Sequence, residues 1–121
     1  MEQGVRKDAK GVGMAKKILI AYDEDAIREL IRLTLEDEGY ELYEAIDGQR
    51  ALLKVQESRP ALIILDVMMP RVVGYAVLFI SSRSSRTAVD TMEMEGGDDY
   101  IIKPFEPSEL RAKVKKLLGL D

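Results

Sequence analysis

The sequence contains no cysteine and no histidine among its 121 residues. The missing cysteines exclude disulfides and thiolate metal sites, and the missing histidines exclude histidine acid–base catalysis and the usual zinc sites. No apolar run approaches the roughly 18 residues of a membrane span, and the first residues lack the apolar core of a signal peptide. We therefore expect a cytoplasmic protein with no membrane contact, whose chemistry depends on carboxylates, hydroxyls and lysines.

Acidic residues outnumber basic ones, because 22 aspartates and glutamates against 18 lysines and arginines give a formal net charge of -4. A nucleic-acid-binding surface needs lysine and arginine clustered on one face, so we expect no nucleic-acid partner. The length fits one compact domain and leaves no room for a second. Residues 1–15 contain three glycines, mixed charge and no apolar periodicity. This composition predicts a disordered tail or the remnant of an expression tag, followed by one folded domain over residues 16–121.

Short apolar runs alternate with amphipathic stretches along the rest of the chain. The apolar runs at 18–21, 61–65, 76–80 and 100–102 and the alternating segment at 41–45 predict five strands. The amphipathic stretches predict four helices. The first ends at Gly39, the second runs from Asp47, its N-cap, to Pro60, the third spans 84–95, and the fourth begins near Pro107. This alternation predicts an α/β fold in which a doubly wound parallel sheet carries helices on both faces.

Polar residues stand where these predicted strands end. Asp66 closes the third apolar run, and Asp23 and Glu24 follow the first. Carboxylates at the carboxyl ends of parallel strands can hold a hard cation, and an aspartate there can act as a nucleophile. Ser81 ends the fourth run and Lys103 follows the fifth. The sequence therefore predicts a polar site at this edge of the sheet.

Four segments carry a resemblance to a known family. They are KILIAYDE at 17–24, LDVMMP at 65–70 with Gly74, ISS at 80–82 and GDDYIIKPF at 97–105. With these segments in this order, the chain from Lys16 to Leu118 resembles the receiver domain of two-component response regulators, including chemotaxis-type (CheY-like) relatives. The resemblance implies a five-stranded, flavodoxin-like sheet of strand order 2-1-3-4-5.

The resemblance also implies a function. Asp66 would accept a phosphoryl group from a sensor histidine kinase or a phosphotransfer protein, and the domain would then signal by contact with a downstream protein. Mg²⁺ would be held by Asp23, Asp66 and the backbone carbonyl of Met68, with Glu24 as a candidate further ligand. Beyond its own phosphorylation and dephosphorylation, no enzymatic activity is expected.

Further residues receive roles from the same resemblance. Lys103 and Ser81 would contact the phosphoryl oxygens, Tyr100 would be the aromatic residue that moves with the switch, and the peptide bond before Pro104 would be cis. Each has a simpler interpretation. A serine at a strand end commonly caps a backbone group, Lys103 can be a solvated loop lysine, and Tyr100 can be an edge aromatic.

Two features depart from the family pattern, and the first is Tyr22. The family has a pair of acids after the first strand, whereas this chain has Tyr22 followed by Asp23. A phenol with an ordinary pKa near 10 is neutral at pH 7, so we expect weaker magnesium binding than in a two-acid site.

An alternative function is a degenerate pseudo-receiver, a protein-interaction module that works without phosphorylation. A magnesium-dependent phosphatase is disfavoured because Met68 stands where such enzymes carry a second aspartate.

The second departure is a short connection between the third and fourth strands. Only residues 67–75 separate Asp66 from the predicted fourth strand, and they contain no amphipathic stretch. A parallel crossover usually takes a dozen or more residues and a helix. The family's helix at this place is therefore predicted to be missing, which would expose apolar surface near Val72, Val73, Val77 and Phe79. Such a surface predicts a homodimer, an exchanged element or a docked partner, unless the connection itself covers the gap.

Overall fold

The computed structural model describes residues 15–66, 74–81 and 98–120, and it contains one parallel five-stranded sheet. The strands are β1 (Lys17–Ala21), β2 (Glu41–Ala45), β3 (Leu62–Asp66), β4 (Val77–Ser81) and β5 (Asp99–Ile102). Their order is β2-β1-β3-β4-β5, and every neighbouring pair is parallel. The predicted fold class and strand order are confirmed, and each strand begins and ends within one residue of its predicted position.

The described residues form three α-helices, which are α1 (Asp25–Leu35), α2 (Gly48–Ser58) and α3 (Pro107–Leu117). The carboxylate of Asp47 accepts a hydrogen bond of 2.8 Å from the backbone N–H of Arg50, as an N-cap does. A 3-10 turn continues α1 as far as Gly39, whose φ of 86° is the left-handed conformation that glycine favours. None of the three helices is long and apolar enough to cross a membrane. The predicted helix at 84–95 lies outside the described residues.

The central strands β1, β3 and β4 are buried on both faces because they are apolar at nearly every position, whereas β2 and β5 are mostly half-buried. One face packs on α1 and α3 through a cluster that includes Ile20, Ile64 and Ile80. The other face packs on α2 through a cluster that includes Leu65, Val77 and Phe79. Near-continuous apolar strands are typical of a parallel sheet that is covered on both sides.

The fourth strand lies beside the third despite the short connection. Val77 pairs with Ile63 and Ile80 pairs with Asp66 in parallel register. The segment from 67 to 76 is long enough without a helix. Extended at about 3.3 Å per residue, it reaches roughly 33 Å, about twice the length of a five-residue strand. The connection therefore does not force the fourth strand out of the sheet.

The predicted exposure of Val77 and Phe79 is wrong. Val77 is 3% exposed and Phe79 is 1% exposed, and both lie in the cluster on the α2 face. Half-buried side chains of Tyr43, Tyr75, Tyr100 and Ile102 pack against the same cluster. Among the described residues, these side chains from β2, β5 and the end of the connection thus cover apolar area in addition to α2. Val72 and Val73 lie outside the described residues, and the homodimer stays a prediction.

Asp98 holds the beginning of the fourth strand. Its carboxylate accepts a 2.9 Å hydrogen bond from the backbone N–H of Val77, and its own N–H donates to the carbonyl of Val77, also at 2.9 Å. One residue thus satisfies both backbone groups of the first residue of β4. The sequence analysis did not assign a role to Asp98, and only its place just before the last strand hinted at one.

We expect Asp98→Ala to lower the free energy of unfolding by about 1–3 kcal/mol, because it leaves the N–H of Val77 buried without an acceptor. Chemical denaturation of the purified domain measures this change. Asp98→Asn is the matched control, since its amide oxygen can still accept the bond, and it should lose clearly less. Equal stability of Asp98→Ala and the unchanged protein would contradict this role of the carboxylate.

Candidate functional site

The predicted polar residues come together at the carboxyl edge of the sheet. Asp66 is the last residue of β3, Ser81 is the last residue of β4, and Lys103 directly follows β5. The backbone N–H of Lys103 donates a 2.7 Å hydrogen bond to the carbonyl of Ser81, which joins the ends of the last two strands. Asp23 lies just beyond the end of β1, the neighbour of β3 on its other side. Four adjacent chain segments therefore contribute one polar side chain each to the same edge.

Lys103 is the cation of this site. Its Nζ lies over the ring of Tyr22, 5.1 Å from the ring centroid, and 3.9 Å from Oε1 of Glu24. Only 16% of the Lys103 side chain is exposed, whereas that of Glu24 is 60% exposed. An ion pair of this length with an exposed partner contributes little to stability. The peptide bond between Lys103 and Pro104 is cis, as predicted.

Tyr22 occupies the position at which the family carries an acid. It is 3% exposed and belongs to the core cluster on the α1 and α3 face. Burial raises the pKa of its phenol above the ordinary value of 10. A hydrogen bond with Lys103 opposes this change, while the negative charges of Asp66 and Glu24 add to it. The phenol is therefore neutral at pH 7, and position 22 brings no negative charge to the site.

Arg28 fixes the corner between β1 and α1. Its Nη1 donates a 2.9 Å hydrogen bond to the carbonyl of Tyr22, and its Nε donates a 3.0 Å bond to Glu44 on β2. Its Nη2 also pairs with the carboxylate of Asp25. The sequence analysis missed this residue because an arginine on the polar side of a predicted helix gives no signal of its own. By holding the Tyr22 carbonyl, Arg28 sets where the chain leaves β1 and so where Asp23 begins.

The carboxylates partly fit a magnesium site. Asp23 is exposed and Asp66 is half-buried, and they follow two neighbouring strands. Carboxylate oxygens are ligands that Mg²⁺ prefers, usually one or two of them together with several waters. Within residues 15–66, 74–81 and 98–120, no three acidic side chains form a group that could hold a metal ion. Met68, the predicted carbonyl ligand, lies outside the described residues. A site built on these two carboxylates alone would bind the cation weakly.

The two predicted switch residues lie on neighbouring strands. Ser81 is 3% exposed, so its hydroxyl is one of the few buried polar side chains. Tyr100 is half-buried and packs against the cluster on the α2 face, and it pairs with Phe79 across the sheet. This placement is compatible both with an aromatic residue at the edge of the sheet and with a switch residue. Its movement with Ser81 stays a prediction.

An open groove lies beside Lys103. It has a volume of about 470 Å³ and is lined by Ile27 and Leu30 of α1 and by Lys103, Pro104 and Phe105. The wall is largely apolar, and the lysine provides its charge. A partner that lies in this groove would therefore also lie close to the polar edge of the sheet.

Comparison with known proteins gives a consistent result. The family model for the response regulator receiver domain matches residues 18–78. This match contains Asp23 and Asp66 and ends before Ser81 and Lys103. Among solved structures, the chemotaxis response regulator CheY4 of Vibrio cholerae is similar with a TM-score of 0.75 and 28% identity, over 86% of this chain and 99% of that one. A CheY-like receiver domain protein of Methanospirillum hungatei JF-1 has a TM-score of 0.76 and 27% identity, over 87% and 94%.

Curated relatives include two bacterial regulators. The alkaline phosphatase synthesis transcriptional regulatory protein PhoP of Bacillus subtilis is 37% identical over 119 residues, with 87% of this chain and 49% of the relative covered. The transcriptional regulatory protein SrrA of Staphylococcus aureus is 38% identical over 117 residues, covering 87% and 48%. The chain thus spans about half the length of these relatives. Each alignment is also longer than the share of this chain that it contains, so the relatives have positions that this chain lacks.

Proposed function

Because the chain belongs to the response regulator receiver domain family, we propose that Asp66 is its phosphoacceptor and that a histidine kinase or a phosphotransfer protein is the donor. The observation that carries this proposal is the placement of Asp66, Ser81 and Lys103 at the carboxyl ends of three adjacent strands, with Asp23 beyond a fourth. A nucleophile, a hydroxyl donor, a cation and a metal-binding carboxylate are the parts that phosphoryl transfer to an aspartate requires.

In the proposed reaction a carboxylate oxygen of Asp66 attacks the phosphorus of a phosphohistidine. The new oxygen–phosphorus bond forms an acyl phosphate, the nitrogen–phosphorus bond breaks, and the leaving imidazole takes up a proton. Lys103 places its ammonium group near the phosphoryl oxygens and offsets their charge. Ser81 donates its hydroxyl to another of these oxygens once the phosphoryl group is present. Bound Mg²⁺, held by Asp23 and Asp66, would supply further positive charge for the same oxygens.

We propose that the output is contact with another protein or domain. The added charge, about -1.5 to -2 at pH 7, would draw Ser81 and Lys103 toward Asp66. Tyr100, which lies on β5 next to the strand that carries Ser81, would then change its packing, and the surface near β4 and β5 would be the one that a partner contacts. The relatives named above are transcriptional regulators, but the net charge of -4 does not favour direct contact of this chain with DNA.

Incubation with Mg²⁺ and acetyl phosphate, followed by intact mass measurement, tests the proposal. We expect the protein to gain the mass of one phosphoryl group and Asp66→Ala to gain none. Asp98→Asn is a suitable control, because it removes a carboxylate from the same sheet but not from the site. A protein that gains no mass at any magnesium concentration would contradict the proposal, as would an unchanged gain in Asp66→Ala.

The degenerate pseudo-receiver is the second candidate, and Tyr22 favours it. A neutral, buried side chain stands where an acid would add to cation binding. In such a module the fold and the groove beside Lys103 would serve partner binding alone. The mass experiment separates the two candidates, because a pseudo-receiver gains no phosphoryl group.

A further inference from the structure

Tyr22 contacts the one lysine that the proposed reaction uses. The ring lies beneath Nζ of Lys103, with 5.1 Å between Nζ and the ring centroid. The face of an aromatic ring attracts a cation within about 6 Å of its centroid. We propose that Tyr22 is a positioning residue for Lys103, and that its ring holds the ammonium group in place of the charge that an acid at this position would supply.

Burial makes the ring a fixed support. Tyr22 is 3% exposed, it packs with Ile20 and Ile80 in the core, and both of its backbone polar groups are bonded. Its N–H donates to Ala45 at 3.1 Å, and its carbonyl accepts from Arg28 at 2.9 Å. A side chain held in this way keeps one orientation, because a close-packed core leaves it no other space.

The backbone bond of Lys103 and its ion pair with Glu24 do not fix the direction of the lysine side chain. Its backbone is fixed by the 2.7 Å hydrogen bond to Ser81, but that bond does not set the direction of a long side chain. Glu24 lies 3.9 Å from Nζ and has a side chain that is 60% exposed, so it is a loose partner. Within the part of the chain that the structure describes, the buried Tyr22 side chain contacts this lysine through its ring and its hydroxyl, and it is held more firmly than Glu24.

The chemistry of the contact differs from that of an ion pair. A carboxylate at position 22 would neutralise the ammonium group and would compete for it with an incoming phosphoryl group. A ring face orients the ammonium group and leaves its full charge available to an anion. This consequence rests on the proposed function, in which Lys103 offsets the charge of the phosphoryl oxygens. Tyr22, which is expected to weaken magnesium binding, would thus hold Lys103 in the position where its charge meets the phosphoryl oxygens.

Nuclear magnetic resonance tests the contact without any phosphorylation. Protons above a ring face are shielded, so the ε-proton signals of Lys103 should lie upfield of those of the exposed Lys115 and Lys116, with cross-relaxation to the Tyr22 ring protons. Tyr22→Phe should keep the shift, and Tyr22→Leu should remove it. Tyr40→Leu is the matched control, because Tyr40 is 4% exposed in the same cluster, and it should leave Lys103 unchanged. A Lys103 signal at the position of the exposed lysines in the unchanged protein would overturn the proposal even if Tyr22→Leu does not fold.

Phosphorylation rates test the consequence. With acetyl phosphate, we expect Tyr22→Leu to modify Asp66 about tenfold more slowly, the change that loss of one cation–π contact in the transition state can produce. Tyr22→Phe removes only the hydroxyl that bonds Lys103 and keeps the ring face, so its rate should stay within about threefold. An unchanged rate in Tyr22→Leu would overturn the positioning role. If the unchanged protein gains no phosphoryl group, the proposed function fails, and the resonance experiment alone decides whether Tyr22 holds Lys103.

Discussion

Replacing Phe79 with alanine is expected to lower the free energy of unfolding by about 3–5 kcal/mol. Phe79 is 1% exposed on the central part of β4 and packs within the cluster on the α2 face. Truncation of a buried phenylalanine removes apolar contact area and leaves a cavity that the surrounding strands fill only partly. Since the free energy of unfolding of single domains is about 5–15 kcal/mol, a loss of this size removes a large share of the stability. Chemical denaturation at 25 °C measures it.

The chain provides a control in its second phenylalanine. Phe105 is half-buried at the margin of the other cluster, so Phe105→Ala should cost clearly less than Phe79→Ala. The comparison of the two variants also tests whether the short connection between β3 and β4 leaves the α2 face open at β4. If the missing helix left the α2 face open at β4, Phe79 would be solvated and its truncation would cost less than about 1 kcal/mol. Equal losses for the two variants would therefore contradict the burial of Phe79.

Local sequence signals predicted most of the fold. Four apolar runs and one alternating segment located the five strands to within one residue, and Asp47 and Pro107 marked the beginnings of α2 and α3. These signals work because a strand buried on both faces must be apolar throughout, and because the first turn of a helix needs a cap or can accommodate proline. The strand order came from the family resemblance, and pairing in the structure confirms it.

Contacts between distant segments were not predictable in the same way. Tyr75 and Tyr100 pack against the cluster that contains Phe79, and they come from the connection and from another strand. The bond from Val77 to Asp98 joins residues 21 positions apart, and no pattern in the sequence pairs them. Side chains of this kind are placed by the tertiary arrangement, whereas periodicity reports only which side of an element is apolar.

In the candidate site, too, local signals predicted some residues, whereas a contact between distant segments was not predictable. Asp66, Ser81 and Lys103 were predicted because each stands at a strand end, and the structure places them at one edge. The meaning of Tyr22 could be stated only as the loss of an acid. Its contact with Lys103 needs the ends of β1 and β5 in the same place, with β3 and β4 between them in the sheet order. The sequence shows only that position 22 lacks an acid, whereas the structure shows that its side chain contacts Lys103.

Replacing Tyr22 with aspartate is expected to tighten magnesium binding by about tenfold, the low end of the effect of groups that support a metal's direct ligands. The change adds a third carboxylate beside Asp23 and Asp66 and so increases the negative charge that the cation meets. Without magnesium the variant should be less stable than the unchanged protein, because a carboxylate replaces a ring in the core at a position that is 3% exposed. Titration calorimetry with MgCl₂ measures the affinity.

Thermal unfolding at increasing magnesium concentration should show the two effects together. A ligand that binds only the folded state stabilises it more as the ratio of ligand concentration to Kd increases. The melting temperature of Tyr22→Asp should therefore rise more steeply with magnesium than that of the unchanged protein. Tyr22→Asn is the matched control, because it has the size of aspartate but no charge, and its affinity should not exceed that of the unchanged protein. Equal affinities for the aspartate and asparagine variants would mean that position 22 does not face the cation. The weaker binding expected of this chain would then need a cause other than the missing acid.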